Sequence, residues 1–275
     1  MNKVYCSTGV MVGRINNNDY TLITKYFPSL IDKGLISGAE FMFANSFYDK
    51  LDDIYNEISK SDIPFDIIHF DKEIGIMLSE CDDIISKKAM ELLEINCQFA
   101  KRIGAKKCVF HLWGGIKSDS HIEYNISHLQ SIIKIAKKYN IELLVENIPC
   151  TNNSGLKVWR MIYKFLPNIG FTFDTRFGAF HGEMSEIFNE SIWNHIKHIH
   201  ISDYSSYPRN FSKIRPILHP LEGVINFDFV FQRLKEIGYQ GSFTLESPVF
   251  AEHQPDIKKL ESTLKYINDH IKSHD

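Results

Sequence analysis

The chain has 275 residues, enough for one large domain with a sizeable core or for two smaller ones. Its formal net charge of −3 disfavours a nucleic-acid surface, for which a strong basic excess is typical, although a local basic groove is compatible with that balance. No apolar run reaches the roughly 18 residues of a membrane span, and the N-terminal stretch lacks the apolar region of a signal peptide. The 5 scattered cysteines, without a CxxC pair, are expected to be free thiols of a cytoplasmic protein.

Short apolar runs alternate with amphipathic segments from the start of the chain. The first predicted strands, rich in Ile, Val and Phe, are 3–8, 36–43, 65–71 and 106–113. An amphipathic segment over 20–34 predicts a helix between the first two strands. The stretch 82–104 places its apolar residues on one stripe and ends in Gly104, which predicts a long helix with a glycine cap.

The second half of the chain repeats this alternation. Predicted strands cover 141–147, 168–174, 196–203 and 241–247, and predicted helices cover 123–140, 227–238 and 256–271. Eight strand-then-helix rounds without a linker predict a single α/β domain over 1–275, a parallel (β/α)8 TIM barrel. A doubly wound open sheet is the alternative, but no GxGxxG motif follows the first strand. The irregular stretch 204–225 after the seventh strand is long enough to be functional or mobile.

Ionisable residues stand at the ends of the last four predicted strands. They are Glu146, Asp174, His200 and Glu246, and period-two alternation places the small polar Thr172 and Thr244 on the same faces as Asp174 and Glu246. In such barrels the carboxyl ends of the strands build the active site. Burying several carboxylates together costs several kcal/mol per ion unless a cation compensates. This donor set therefore predicts one divalent metal ion, Mn²⁺, Co²⁺, Mg²⁺ or Zn²⁺.

Other side chains at this end of the barrel are candidates to contact a substrate. His69 and His111 hold equivalent places on strands three and four, where they suit substrate hydroxyls or a second metal ion. Trp113 suits the wall of a sugar pocket, with an indole packed in a turn as the equal alternative. Arg215, in the 204–225 stretch with Arg209 and Lys213, is a candidate phosphate ligand, with a solvated loop charge as the alternative.

Several motifs together resemble the xylose-isomerase-like barrel superfamily. They are "AKRIGAKKCVFHLWGG", "LLVEN", "FTFDT", "HIHISD" and "LEGVINFDFVFQRLKEIGYQGSFTLES". That group contains sugar-phosphate isomerases and epimerases, inosose dehydratases and family-2 abasic-site endonucleases. The resemblance implies one metal ion bound by Glu146, Asp174, His200 and Glu246, with Glu146 and Glu246 also acting as acid and base. Glu40 matches a glutamate common in the family, for which a substrate contact and a buried structural pair both stay open.

Departures from the family pattern bear on the choice between its branches. The endonucleases use three zinc ions, and His69, His111 and His219 match their additional ligands; His219 is therefore also a candidate site residue. However, Phe177 stands where relatives commonly carry a histidine, and Ile217 stands where the endonucleases carry an aspartate. A three-zinc cluster would lack two ligands. The ketose epimerases often use that histidine to hold substrate, so Phe177 is also a departure from their standard substrate subsite.

The sequence therefore favours a metal-dependent isomerase or epimerase acting on a sugar, sugar phosphate or cyclitol. Proton transfer next to a carbonyl would proceed through an enediolate-like intermediate. A dehydratase shares this first step, a zinc-dependent abasic-site endonuclease is the second interpretation, and a barrel that binds a metabolite without turnover is the third. The expected partner is a small carbohydrate rather than nucleic acid or a membrane, and assembly into a homo-oligomer stays open.

Overall fold

The computed structural model describes residues 2–251 and 254–272. Eight parallel strands close into a barrel in chain order, because β1 pairs with β2 on one side and with β8 on the other. These strands are β1 Val4–Ser7, β2 Gly38–Met42, β3 Ile67–His69, β4 Lys107–Phe110, β5 Glu142–Glu146, β6 Gly170–Asp174, β7 Ile196–Ile201 and β8 Ser242–Leu245. The predicted (β/α)8 TIM barrel is confirmed, and each observed strand lies inside its predicted range.

Helices surround the barrel in the order expected of alternating strands and helices. They are α1 Thr21–Asp32, α2 Leu51–Ile58, α3 Glu73–Leu78, α4 Asp83–Ile103, α5 Ile122–Lys138, α6 Gly155–Phe165, α7 Thr175–His181, α8 Met184–Ile187, α9 Phe227–Glu236 and α10 Ile257–Lys272. A short antiparallel pair, β9 Phe250–Ala251 and β10 Gln254–Pro255, precedes α10. Within the described ranges, no helix has both the length and the apolar character needed to cross a membrane.

The main core lies between the barrel and its helices. The outward faces of the strands carry aromatic side chains, as the alternation along β6 predicts. Phe171 packs on Trp159 of α6 with ring centroids 4.7 Å apart, and Phe173 packs edge-on against Trp193 at 5.8 Å. The inward positions Thr172 and Thr244 are fully buried in the barrel. This division leaves the interior free for polar side chains.

Helix α4 shows how local sequence sets the bounds of an element. Its N-cap Asp82 accepts a hydrogen bond from the Ile85 N–H at 2.9 Å, and Gly104 follows the last turn with a φ of 86°. Glycine adopts that left-handed conformation without the steric cost that a Cβ brings. The predicted glycine cap is therefore confirmed.

The long segment 204–225 after β7 contains one short turn of 3₁₀ helix, Phe211–Lys213. Both ends are tied to Asp203, a fully buried residue just after β7, whose carboxylate accepts from the Tyr204 N–H at 2.7 Å at the near end. The Asp203 carboxylate accepts hydrogen bonds from the N–H groups of Gly223 at 2.9 Å and Ile225 at 3.0 Å. Asp203 thus joins the two ends of this loop at the carboxyl end of β7.

Helix α3 lies so close to the chain after β4 that only glycine fits at one position. A Cβ on Gly75 would lie 2.2 Å from the carbonyl oxygen of His111 and 3.0 Å from that of Trp113. We expect Gly75→Ala to destabilise the protein by roughly 1–3 kcal/mol, because backbone must move to relieve the overlap. Urea unfolding measures this cost. Gly13→Ala is the control, since a Cβ there meets nothing within 4 Å, and equal stability of Gly75→Ala and Gly13→Ala would contradict this packing.

Candidate active site

The four predicted metal ligands meet at the carboxyl end of the barrel. Glu146 and Asp174 end β5 and β6, His200 lies in β7, and Glu246 directly follows β8. Each offers one ligand atom, and these atoms all lie within 4.8 Å of one another. Three of the residues are at most 1% exposed, and the Glu246 side chain is 9% exposed. Side chains from four consecutive strands therefore form one compact donor group.

Asp174 is held in place by its neighbours in sequence and across the sheet. The Asn147 side chain accepts a hydrogen bond from the Asp174 N–H at 2.7 Å and donates one to the Asp174 carbonyl at 3.1 Å. Oδ1 of Asp174 caps α7 by accepting from the Phe177 N–H at 3.0 Å. Its other oxygen, Oδ2, is buried and takes part in neither of these bonds.

Two buried carboxylate oxygens in this group have no hydrogen-bond partner among the residues that the structure describes. They are Oδ2 of Asp174 and Oε1 of Glu246. The nearest positive groups are Nη2 of Arg176, 3.6 Å from Oδ2 of Asp174, and Nδ1 of His200, 3.3 Å from Oε1 of Glu246. Orphaned buried carboxylate oxygens are costly unless a cation satisfies them. The residues present therefore fit a divalent cation held by three carboxylates and one imidazole.

His200 connects the other members of the donor group to the barrel interior. Its Nδ1 is 2.7 Å from Oε1 of Glu146, and its Nε2 is 3.1 Å from Oε1 of Glu40. The Nδ1 atom is therefore the one available to a metal ion, with Nε2–H donating to Glu40. A carboxylate behind a ligand histidine sets its ring orientation and raises its basicity.

Glu40 of β2 is fully buried beneath this histidine. Its Oε2 is 2.9 Å from Nε2 of His198 and accepts a hydrogen bond from Oγ1 of Thr244 at 2.7 Å. His198 in turn pairs its Nδ1 with the Ser242 hydroxyl at 2.7 Å. Of the two alternatives left open for Glu40, these contacts favour the buried structural pair. His198 thereby supports the Glu40 carboxylate from within the barrel interior.

The protonation of the donor group reflects burial and close charges. Burial raises the pKa of Asp174 to about 7; Arg176 opposes this rise, and the nearby Glu146 carboxylate adds to it. Burial likewise raises the pKa of Glu246. Burial disfavours a charged His200, but the surrounding carboxylates still raise its pKa well above the ordinary value. A divalent cation bound to these atoms would displace such protons, so its affinity should increase with pH.

His69 and His111 both lie near Oε2 of Glu146, whereas His200 contacts Oε1. Nε2 of His111 is 2.5 Å and Nε2 of His69 is 3.6 Å from Oε2 of Glu146, and these residues form a second group able to hold a metal ion. Burial lowers the pKa of His111 to about 4, so its imidazole is neutral near pH 7. The His111 side chain is 14% exposed, which leaves it within reach of a bound molecule.

Two other candidates have their polar atoms engaged inside the protein. The Trp113 indole is fully buried and donates to the Pro149 carbonyl at 3.2 Å, which favours the packed-indole alternative. The ring nitrogens of His219 lie 2.9 Å from Oγ1 of Thr263 and 3.1 Å from the Pro248 carbonyl. His219 belongs to none of the donor groups formed by the described residues.

Two basic residues near the site were missed by the sequence analysis. Arg176, 6% exposed, places its Nη2 atom 3.6 Å from Oδ2 of Asp174, and Lys72 lies three positions after His69. The signal that could have found them is a basic residue within a few positions of a strand end that carries a candidate ligand. Arg215, predicted as a phosphate ligand, is exposed and directly follows Ile214, whose carbonyl accepts from Arg176 at 3.1 Å.

Residues 36–270 match the family model described as a xylose isomerase-like TIM barrel. The chain belongs to the xylose isomerase-like TIM-barrel family. A curated relative of this family member, an uncharacterized protein of Methanocaldococcus jannaschii, is 31% identical over 203 residues. The match covers 68% of this chain and 66% of the archaeal protein, which is just under two thirds of that relative's length.

Solved structures share the fold of this xylose isomerase-like barrel at low sequence identity. A D-tagatose 3-epimerase-like protein is 20% identical with a TM-score of 0.70, and the match covers 98% of this chain and 99% of that one. The zinc-bound IolI protein is 17% identical with a TM-score of 0.71 and 99% coverage of both chains. A D-allulose 3-epimerase from Methylomonas sp., solved with D-allulose, is 14% identical with a TM-score of 0.71, covering 100% of this chain and 97% of that one.

Proposed function

We propose that this protein is a divalent-metal-dependent isomerase or epimerase that acts on a small carbohydrate by proton transfer next to a carbonyl. The observation that carries the proposal is the donor group at the barrel mouth, where Glu146 and Glu246 lie together with Asp174 and His200. The structural neighbours, which include sugar epimerases and a zinc-bound protein, support it.

The metal ion would be held by Glu146, Asp174, Glu246 and Nδ1 of His200. When bound, it supplies positive charge that stabilises the negative charge developing on the substrate oxygens. The donor set is mixed, with hard carboxylates and one borderline imidazole and no thiolate, which suits Mn²⁺, Co²⁺, Mg²⁺ or Zn²⁺.

Glu146 and Glu246 would move the protons. Their carboxylates project from β5 and from the end of β8, two strands that are not neighbours in the barrel, so a substrate between them could meet one on each side. One would remove a proton from carbon and the other would return one, in an epimerisation on the opposite face. General acid–base catalysis of this kind contributes roughly 10²–10⁴-fold.

The neighbouring histidines would orient the substrate rather than transfer its proton. His111 is neutral near pH 7 because burial lowers its pKa to about 4, so it can donate from one ring nitrogen and accept at the other. His69 lies beside it, with ring centroids 4.8 Å apart, and its Nδ1 is 2.8 Å from the Phe70 carbonyl. These two rings can hydrogen-bond hydroxyl groups of a sugar next to Glu146.

A zinc-dependent abasic-site endonuclease is the second candidate, favoured by the donor group of His69, His111 and Glu146. Such an enzyme needs several metal ions. Phe177, Ile217 and the internally paired His219 leave its further ligands unmatched. A dehydratase would use the same proton abstraction and then lose a hydroxyl group, so it is separated from an isomerase by its product.

A combined metal and isotope experiment tests the proposal. The protein is loaded with each of Mn²⁺, Co²⁺, Mg²⁺ and Zn²⁺ and incubated in D₂O with a panel of ketoses and cyclitol ketones, and NMR detects deuterium at carbon. We expect incorporation next to the carbonyl with at least one metal. Asp174→Asn should weaken metal affinity on the order of 100-fold or more, because even indirect partners of a metal contribute 10–100-fold.

Asp62→Asn is the matched control, since Asp62 is exposed and lies in the segment that leads into the amino end of β3, whereas the donor group lies at the carboxyl ends of the strands. It should bind metal and exchange deuterium like the wild type. Retained metal affinity in Asp174→Asn would contradict the ligand assignment. Nicking of an abasic duplex by the zinc-loaded protein, with no exchange into any ketone, would instead establish the endonuclease.

A further inference from the structure

We propose that Arg176 is a further catalytic residue, which donates hydrogen bonds from Nη2 to the substrate oxygen that becomes negative when Glu146 or Glu246 removes a proton from carbon. This inference rests on the proposed function, because it concerns proton transfer at the same site. It is carried by the contacts that fix the guanidinium and by the one amino group that those contacts leave over.

Arg176 is buried at the carboxyl end of β6. It is the second residue of α7, two positions after Asp174, and it is only 6% exposed. A guanidinium carries five N–H donors, and burying such a group is costly unless its donors find acceptors. The partners of these donors therefore indicate what the side chain does.

The protein fixes three sides of the guanidinium. Nε donates to the Ser202 hydroxyl at 3.4 Å, Nη1 donates to the Ile214 carbonyl at 3.1 Å, and Cζ lies 4.2 Å from the centroid of the Phe177 ring. Ser202 is itself held, because its N–H donates to Oγ1 of Thr175 at 3.1 Å and its carbonyl accepts from the same hydroxyl at 2.7 Å. Groups from the end of β7, the long loop and α7 thus orient the guanidinium together.

The remaining amino group, Nη2, has no hydrogen-bond acceptor among the residues that the structure describes. It lies 3.6 Å from Oδ2 of Asp174, which is beyond hydrogen-bond distance. Oδ2 is the buried oxygen of a predicted metal ligand, and it too lacks a hydrogen-bond partner in the described ranges. An oxygen atom that a substrate brings next to Oδ2 of Asp174 is therefore within reach of Nη2.

The proposed reaction supplies an acceptor for these N–H groups. When a carboxylate takes the proton from carbon, the electron pair of the broken C–H bond moves toward the carbonyl group, and the carbonyl oxygen gains the negative charge of an enediolate. Arg176 stabilises this oxygen by charge-assisted hydrogen bonds and keeps its own protons, as arginine does in proteins. Donors that are already oriented in a buried site are effective because they need no reorganisation while the charge develops.

A purely structural role, in which Arg176 only anchors the 204–225 loop through the Ile214 carbonyl, is the competing explanation. The two roles differ in what they affect. A contact to developing charge is stronger in the transition state than in the bound substrate, so its loss lowers kcat more than it raises KM. An anchor instead affects charged and uncharged ligands alike.

Deuterium exchange at saturating metal tests the catalytic contact. Arg176→Met should lower kcat about 10²–10³-fold, the loss typical of one oxyanion donor, with KM changed less than about 3-fold. Arg176→Lys should lose less, because it keeps the positive charge. Guanidinium ion at about 50 mM, far below denaturing concentrations, should restore part of the rate to Arg176→Ala, whereas NaCl at the same concentration should not.

Arg160→Met is the matched control, because Arg160 is an exposed arginine of α6 that pairs with Glu186 and Glu190. It should exchange deuterium like the wild type. A wild-type kcat in metal-saturated Arg176→Met would overturn the proposal while leaving the isomerase intact.

Binding of an enediolate analogue gives a second readout, without turnover. The metal-loaded wild type should bind glycolohydroxamate, a planar analogue that binds as an anion, and Arg176→Met should weaken this binding about 10-fold or more while changing the affinity for an uncharged sugar alcohol less than about 3-fold. Because every protein carries the same metal, contact between the analogue and the metal cancels in the comparison. Equal weakening of both ligands would identify a structural anchor and overturn the proposal. Hydroxamate binding that depends on Arg176, without exchange into any ketone, would support the contact to an anionic oxygen and reject the proposed reaction.

Discussion

Glu246→Gln is expected to lower the rate of deuterium exchange into the substrate by about 10²–10⁴-fold, the range that general acid–base catalysis supplies. Glu246 combines three features of a proton-transfer group: a raised pKa caused by burial, a side chain that is 9% exposed, and an Oε1 atom without a hydrogen-bond partner among the described residues. Glutamine keeps the size and one carbonyl oxygen of the side chain but cannot accept a proton at neutral pH. The rate should therefore fall although the site stays assembled.

Metal content and exchange rate must be measured together, because Glu246 is also a predicted metal ligand. The variant is assayed at metal concentrations that saturate its site, as judged by calorimetry, so the remaining loss of rate reports proton transfer. Glu91→Gln on the outer face of α4 is the control, since Glu91 is exposed. A metal-saturated Glu246→Gln protein that exchanges at the wild-type rate would remove Glu246 from the proton-transfer mechanism.

Glu40→Ala is expected to destabilise the metal-free protein by about 3–5 kcal/mol, the usual cost of removing one partner from a buried charged pair. The Glu40 carboxylate is fully buried and is the hydrogen-bond acceptor for Nε2 of His198, Nε2 of His200 and Oγ1 of Thr244. Alanine leaves these polar groups in the barrel interior without their acceptor. Urea unfolding in the presence of a chelator measures the difference without a contribution from bound metal.

Glu40→Gln should cost less, because the amide keeps one acceptor oxygen at the same place. Glu142→Gln is the control, a strand glutamate whose side chain is exposed at the start of β5. Burial opposes ionisation of Glu40, but His200 and His198 lower its pKa below the ordinary 4.5. Ionised Glu40 therefore stabilises the protein above pH about 4.5, and the difference between wild type and Glu40→Gln should shrink as the pH falls below that value. A pH-independent difference would contradict the pairing.

The positions of the metal ligands illustrate what can be predicted from sequence. Period-two alternation put Asp174 on the face of Thr172 and Glu246 on that of Thr244, and the carboxyl end of a parallel strand is recognisable from the turn that follows it. These are local properties of a few consecutive residues. They were sufficient to bring together four side chains spread over 100 residues, from Glu146 to Glu246.

The partners of each side chain could not be predicted in this way. Nothing near Glu40 in the chain indicates that it binds His198 and His200, which lie 158 and 160 residues later. Arg176 could not be predicted as a site residue, because its contacts, the Ile214 carbonyl and the Ser202 hydroxyl, come from distant parts of the chain. Trp113 and His219 had the right residue types, but packing turned their polar atoms toward Pro149 and Thr263.

By itself, the sequence of this protein determined the eight barrel strands and their order along the chain, although not the short β9–β10 pair, and it placed Asp174 and Glu246 on the faces of Thr172 and Thr244. Those features follow from residue periodicity and turn chemistry, which act over a few positions. Only the tertiary structure decided that Nδ1 of His200 faces Glu146 while Nε2 faces Glu40, and that Arg176 reaches the Ile214 carbonyl of the long loop. Such choices depend on rotamers and charges brought together by closing the barrel, and local sequence carries no record of them.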